Sequence, residues 1–438
     1  MLAYYFELAV RSFRRNRALT LLIVMTIALG IGAAMTTLTV FHVLSGDPLP
    51  GHSQDLYYPQ LDPRGMDGYV AGADPPEQLT RYDAEALLRE RRGDLQAMMS
   101  GGKIETVSDG NGMKPVYVDA RYTSGDFFAM FDAPFLFGGG WSKAEDDNRG
   151  RVAVIAKSLN DKLFGGRNSV GASLRLKRTE FRVIGVLDDW QLSPKFYDLT
   201  QDRYGDLEQV FLPFSTSREL KAGVTGNVSC WGDEDDEEDP DSLYGTSAHC
   251  TWVQYWVKLH TREKAAAYRQ YLANYAEQQR AAGRYGRPAS IRLLGLMQWL
   301  DYKQVVPGDV RLQVWLAFGF LLVCVLNTMG LLLAKFLRRS GEIGVRRALG
   351  ASRRAIFGQY LVEAAAIGVV GGVLGLLFAL LGLWSVRQEP DSYSRLAHLD
   401  PAMLFATFAL ALAASLLAGW LPAWRACRVA PAIQIKSL

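Results

Sequence analysis

The residues able to do chemistry in this chain are few, and their types limit what they can do. The segment GRNSVGAS (residues 166–173) has the glycine spacing of a phosphate-binding loop, but Ala172 stands where the lysine is needed. Nothing there would reach the terminal phosphates, so the segment reads as a turn between a helix and a strand. Asp233, Glu234, Asp235, Asp236, Glu237, Glu238, Asp239 and Asp241 form an acidic run. It reads as a solvated loop, a docking patch for a basic partner or a divalent-cation site, although it lacks the glycine and terminal glutamate spacing of a calcium loop. His42, His52, His249, His260 and His398 show no metal-ligand spacing, and no serine or cysteine motif accompanies the carboxylates. Neither a catalytic site nor a metal site is therefore expected.

The elements around these residues explain the chain better. With 438 residues, 49% of them hydrophobic, the mean hydropathy is +0.01, an average over very apolar and very polar stretches. That mixture predicts membrane helices plus a sizeable soluble part. The net charge of +3 is too small to argue for nucleic acid, and the basic residues sit mostly beside apolar runs.

The apolar runs are residues 18–44, 312–334, 361–386 and 402–421, each long enough to span a hydrocarbon core of about 30 Å. A cleavable signal peptide competes for the first, but its apolar region would span only about 7 to 15 residues. A retained helix is expected. Residues 1–17 are amphipathic and end in Arg11, Arg14, Arg15 and Arg17, which predicts a helix on the inner leaflet. Basic loops stay inside, so the segment 335–359 and the tail 422–438 face the cytoplasm, while the loop 387–400 faces outward.

Residues 45–307 then form an extracytoplasmic domain. Residues 151–156 and 174–187 alternate as strands, with a turn at 177–180, whereas 76–92 and 262–282 are rich in helix formers. The expected fold is therefore a four-helix membrane protein with a large α+β domain inserted between the first and second helices. Gly30 and Ala34 in the first run, and Gly368, Gly371, Gly372 and Gly375 in the third, allow close helix approach, within one bundle or across a dimer. Asn327, costly in lipid, is expected to bond to a neighbouring helix.

The string GEIGVRRALGASRRAIFGQYLVEA (residues 341–364) resembles the loop after the second membrane helix of MacB/FtsX-type ABC transporter permeases. YTSGDFFAMFDAPFLFGGGWS (122–142), SLNDKLFGGRNSVGASLRL (158–176) and FRVIGVLDD (181–189) are similar to the MacB-like periplasmic core domain. PAWRACRVAPAIQIKSL (422–438) resembles the family's terminal segment. The resemblance implies a mechanotransmission permease of the bacterial inner membrane, with both termini cytoplasmic. Glu342, Ile343, Arg346, Arg347, Leu349 and Gly350 would contact an ABC ATPase, with Arg425 and Arg428 as a second contact. ATP and Mg would be bound by that partner, since no Walker-type lysine loop occurs here.

The family also implies a homodimer or a heterodimer with a related permease, and admits a periplasmic adaptor and an outer-membrane channel. An efflux substrate such as an antibiotic, peptide or lipid-like molecule would be extruded by the periplasmic domain. A lipoprotein-releasing permease, an FtsX-like regulator of cell-wall hydrolases and a sensor without an ATPase are the rival readings. Cys230 and Cys250 depart from the family pattern. In an oxidising compartment, a disulfide between them would restrict the unfolded chain by about 3 kcal/mol. Cys324 and Cys427 are expected to be free.

Overall fold

The computed structural model describes residues 17–107, 115–190, 192–201, 203–232, 244–247, 249–388 and 401–428. The amphipathic segment before Arg17, the acidic run, nearly all of the loop 387–400 and the tail beyond Arg428 lie outside the described residues. The chain divides into two units, Met1–Gly46 with Val306–Leu438, and Asp47–Val305.

The first helix, α1 (Arg17–Ser45), has 29 residues and rises about 44 Å at about 1.5 Å per residue, longer than a hydrocarbon core of about 30 Å. The second unit follows. In chain order it contains β1 (Leu56–Leu61), β2 (Leu79–Thr80), α2 (Arg81–Glu90), β3 (Leu95–Val107), β4 (Val116–Thr123), α3 (Asp126–Met130), β5 (Phe135–Gly138), α4 (Lys143–Asp147), β6 (Val152–Ala156) and α5 (Lys157–Phe164). Then come β7 (Ser173–Leu176), β8 (Thr179–Leu187), β9 (Val210–Pro213), α6 (Phe214–Glu219), β10 (Gly223–Thr225), β11 (Ser229–Cys230), β12 (Cys250–Lys258), α7 (Arg262–Ala281), β13 (Ile291–Gly295) and α8 (Leu296–Tyr302).

One continuous sheet runs β13-β1-β12-β3-β4-β9-β6-β8-β5, antiparallel except for the β4/β9 and β6/β8 pairs. β12 is buried along its whole length, so CTWVQYWVK carries large residues at consecutive positions instead of alternating with polar ones. Helix α2 is shorter than the helix-rich stretch 76–92. Leu79 and Thr80 just before it pair with β12 as strand β2, Thr80 caps its start by accepting the Asp83 N–H, and Arg91 closes it with φ 48°.

The FFAMF stretch is the start of the core. On and after α3, Phe127 packs edge-on against Phe131 at 5.0 Å, Phe128 against Trp141 at 4.9 Å, and Phe131 against Phe196 at 5.3 Å. The phosphate-loop lookalike is a turn between α5 and β7. Asn160 donates to the Arg167 carbonyl at 3.0 Å and accepts the Ser169 hydroxyl at 2.6 Å, closing the loop on itself.

Between β8 and β9 the chain has little regular structure, yet Phe196, Tyr197 and Asp198 are fully buried. Arg121 of β4 holds this stretch. Its guanidinium bonds Asp198 at 2.8 Å and pairs with Glu208, which also accepts from Tyr197 at 2.7 Å and faces Lys195 at 3.2 Å. Two buried carboxylates are thus balanced by two cations, Arg121 and Lys195, so the enclosed cluster is neutral. Cys230 and Cys250, adjacent on paired strands β11 and β12, form a disulfide.

The first unit is completed by α9 (Gly308–Leu337), α10 (Ser340–Ala348), α11 (Arg353–Val386) and α12 (Pro401–Arg428). α1, α9, α11 and α12 are long and apolar enough to cross a membrane. α1 and α12 each pack against both α9 and α11.

Candidate functional site

α10 is nine residues long and is fixed at its C-terminal end. Gly350, with φ +95°, follows its last turn, and the Gly350 and Ala351 N–H groups return to the carbonyls of Arg347 and Arg346 at 3.1 and 3.0 Å. A side chain would be strained in that left-handed conformation. Ser352 then starts α11 by accepting the Ala355 N–H at 3.2 Å. Arg346 of α10 reaches across the corner and donates to Gln359 of α11 at 2.9 Å.

This geometry leaves a distinctive surface. Leu349 is 83% exposed and Val345 49% exposed, beside the exposed Glu342 and the half-buried Arg346 and Arg347. Apolar side chains held out by a short helix among fixed charges suit docking to another protein. Ile343 also belongs to α10, Arg425 is exposed in the last turn of α12, and Arg428 ends that helix.

The small residues of the long helices pack within this bundle. A side chain at Gly30 would come within 3.0 Å of Cys324 on α9; at Gly371 and Gly375, within 3.0 Å of Ile27 and Ile31 on α1; at Gly372, within 3.0 Å of Ala411 on α12. Gly368 faces Ser415, and Ala34 is fully buried. Asn327 departs from expectation: it is exposed on α9, where its amide makes no hydrogen bond among the described residues. The position lies on the outer face of α9, with Trp315, Leu322, Val323 and Leu326 also exposed.

A long apolar first helix, an inserted α+β domain and a short helix between two later apolar helices define one architecture, and the sequence matches follow it segment by segment. Residues 20–275 match the MacB-like periplasmic core domain, and residues 314–431 match the FtsX-like permease C-terminal domain. The chain belongs to the MacB/FtsX-type permease family.

Among its relatives are the pyoverdine export ATP-binding/permease protein PvdT of Pseudomonas fluorescens (strain Pf0-1), 26% identical over 380 residues, covering 84% of this chain and 50% of that protein. The macrolide export ATP-binding/permease protein MacB of Salmonella typhi is 25% identical over 377 residues, covering 82% of this chain and 50% of that protein. The permease thus spans half the length of these curated relatives. The periplasmic region of MacB from Actinobacillus actinomycetemcomitans aligns with a TM-score of 0.36 at 14% identity, over 59% of this chain and 96% of that one.

The bundle of this permease also contains a polar site that the sequence pattern hides. Lys335, read from sequence as the first residue of a cytoplasmic loop, is fully buried within α9. Its Nζ lies 2.7 Å from Glu363 Oε1 on α11 and donates to the Thr20 hydroxyl of α1 at 3.1 Å, while Arg339 lies 3.6 Å from the other Glu363 oxygen. Three helices therefore meet at one ammonium, Lys335 of α9 reaching Thr20 of α1 and Glu363 of α11. Glu363 was the available signal: an acid several turns inside an otherwise apolar helix requires a cation.

Proposed function

We propose that this chain is the permease part of an ABC-type exporter, receiving mechanical work through α10 from an ATP-binding partner on the cytoplasmic side. The observation that carries the reading is the outward presentation of Leu349 and Val345 on a helix locked to α11 by the Arg346–Gln359 bond and by the Gly350 turn. A push on such a helix passes to α11 instead of dissipating in a loop. The termini lie inside and the inserted domain outside the inner membrane, in keeping with the basic residues flanking α10 and ending α12. ATP and Mg are bound by the partner, and this chain supplies no catalytic residue.

Relatives named for pyoverdine and macrolide export support outward movement of a substrate. Two permease copies, or one with a related permease, pair through the exposed face of α9, where Asn327 gains the hydrogen-bond partner it lacks in a single chain. A periplasmic adaptor and an outer-membrane channel extend the path. Purification of the full chain in mild detergent, wild type beside Arg346→Glu/Arg347→Glu, tests the assignment. A nucleotide-binding subunit should accompany the wild type and be lost from the variant. A folded wild type that brings down no ATPase refutes the reading, whereas a co-purifying lipoprotein or cell-wall hydrolase redirects it to those systems.

A further inference from the structure

The inserted domain contains a cavity of about 610 Å³ where α2, α3, α4 and α6 meet the ends of β3 and β4. That volume falls within the roughly 300–1,000 Å³ typical of small-molecule sites. Its apolar lining comes from Leu88, Met98, Ala129, Trp141 and Phe214. These residues come from separate elements, so the floor is a product of the tertiary fold.

The charges on its wall are unequal in their commitments. Glu85 is held by Arg81 at 2.7 Å and Asp147 by Lys143 at 3.0 Å. Asp126 faces Arg91 at 3.5 Å and accepts the Gln96 N–H at 3.1 Å, and Glu219 is paired with Arg151 at 2.6 Å. Asp146 accepts the Gly125 N–H at 2.8 Å and the Trp141 indole N–H at 2.7 Å. Every carboxylate on the wall is thus engaged. Among the described residues, the exposed guanidinium groups of Arg89 and Arg149, both lining the cavity, have no carboxylate partner.

An apolar floor beneath uncommitted cations selects against cationic ligands, for which no carboxylate is available, and against neutral polar ones, which would lose hydration on the floor. Guanidinium groups are suited to carboxylate, sulfonate and phosphate alike. We propose that this cavity binds an amphiphilic organic anion, its apolar body on Leu88, Met98, Trp141 and Phe214 and its acid group held by Arg89 and Arg149. Asp146, whose carboxylate oxygens are taken by the Gly125 and Trp141 N–H groups, is not left free to face an incoming anion. The proposal goes beyond the permease reading and needs no ATPase.

The test uses the full chain in phosphatidylcholine nanodiscs, with empty discs as the blank, and follows the fluorescence of dansylglycine and of dansylamide, which lacks the carboxylate. Wild type should bind dansylglycine saturably and about tenfold more tightly than dansylamide, equivalent to about 1.4 kcal/mol. Arg89→Gln/Arg149→Gln should reduce dansylglycine to the dansylamide level, Arg89→Lys/Arg149→Lys should retain the preference, and Ala129→Trp should abolish binding of both. No saturable signal above empty discs, equal affinity for the two probes, or an Arg89→Gln/Arg149→Gln variant within twofold of wild type would each overturn the proposal. Both arginines being exposed, loss of fold is not expected to interfere, and circular dichroism of each variant verifies it.

Discussion

Lys335 on α9 and Glu363 on α11 form a 2.7 Å ion pair closed to solvent, with Thr20 of α1 on the same ammonium. Removing one partner strands a buried charge, which in proteins typically costs about 3 kcal/mol or more, while replacing both with apolar groups is often neutral. Lys335→Met alone, or Glu363→Leu alone, should therefore lower the melting temperature of the detergent-solubilised chain sharply, and Lys335→Met/Glu363→Leu should recover most of it. Additive losses in the double variant would argue against direct pairing.

Gly32 makes a second helix contact measurable. A Cβ there would lie 2.6 Å from the Phe378 Cβ, a position that cannot yield without moving α11. Gly32→Ala should destabilise the bundle by about 1–3 kcal/mol, the usual range for overpacking, read as a lower thermal midpoint. An unchanged midpoint would mean that α1 and α11 are less closely packed than described.

Leu349 and Val345 allow partner contact to be separated from folding. Leu349→Asp should leave thermal stability within about 0.5 kcal/mol, as at other exposed sites, yet abolish co-purification of the ATP-binding partner. Retention of the partner by this variant would remove α10 from the contact.

Two carboxyls of the inserted domain give opposite pH dependences. Burial alone would raise Glu208, but Arg121 and Lys195, with hydrogen bonds from Arg121 and Tyr197, hold it at about 2. Its folded value lies below its unfolded one, so its contribution is present above about 4.5 and is lost as pH falls towards 2. Asp146 is raised to about 6 by burial, so the stability it confers is present below about 4 and is lost as pH rises through about 6. Thermal denaturation should show wild type losing stability between about pH 4 and 6 relative to Asp146→Asn, and Glu208→Gln should flatten the acid limb below about pH 4.5. Parallel curves for wild type and Asp146→Asn would exclude the titration at Asp146.

The membrane helices were readable because each is a long apolar run between charges, and hydrocarbon permits little else. α10 was readable from its residue order and from Gly350, whose left-handed turn the type of residue announces. Lys335 was not, because charge at the end of an apolar run normally marks the membrane boundary; only the packed bundle shows that it is enclosed. Asn327 failed in the opposite direction: a polar residue in a span implies a partner, but not that the partner belongs to the same chain. The cavity was also hidden in the sequence, since Leu88, Met98, Trp141 and Phe214 look like ordinary core residues, and Arg89 and Arg149 like ordinary surface ones, until the sheet brings them together.

The buried stretch between β8 and β9 has a consequence for how this domain can vary. Connections normally tolerate insertion and deletion because they run over the surface, but here Phe196, Tyr197 and Asp198 occupy the interior around Arg121. Trimming this connection would excavate the domain from within. Length differences among related chains should accordingly collect elsewhere, leaving this irregular segment as constant in length as a strand.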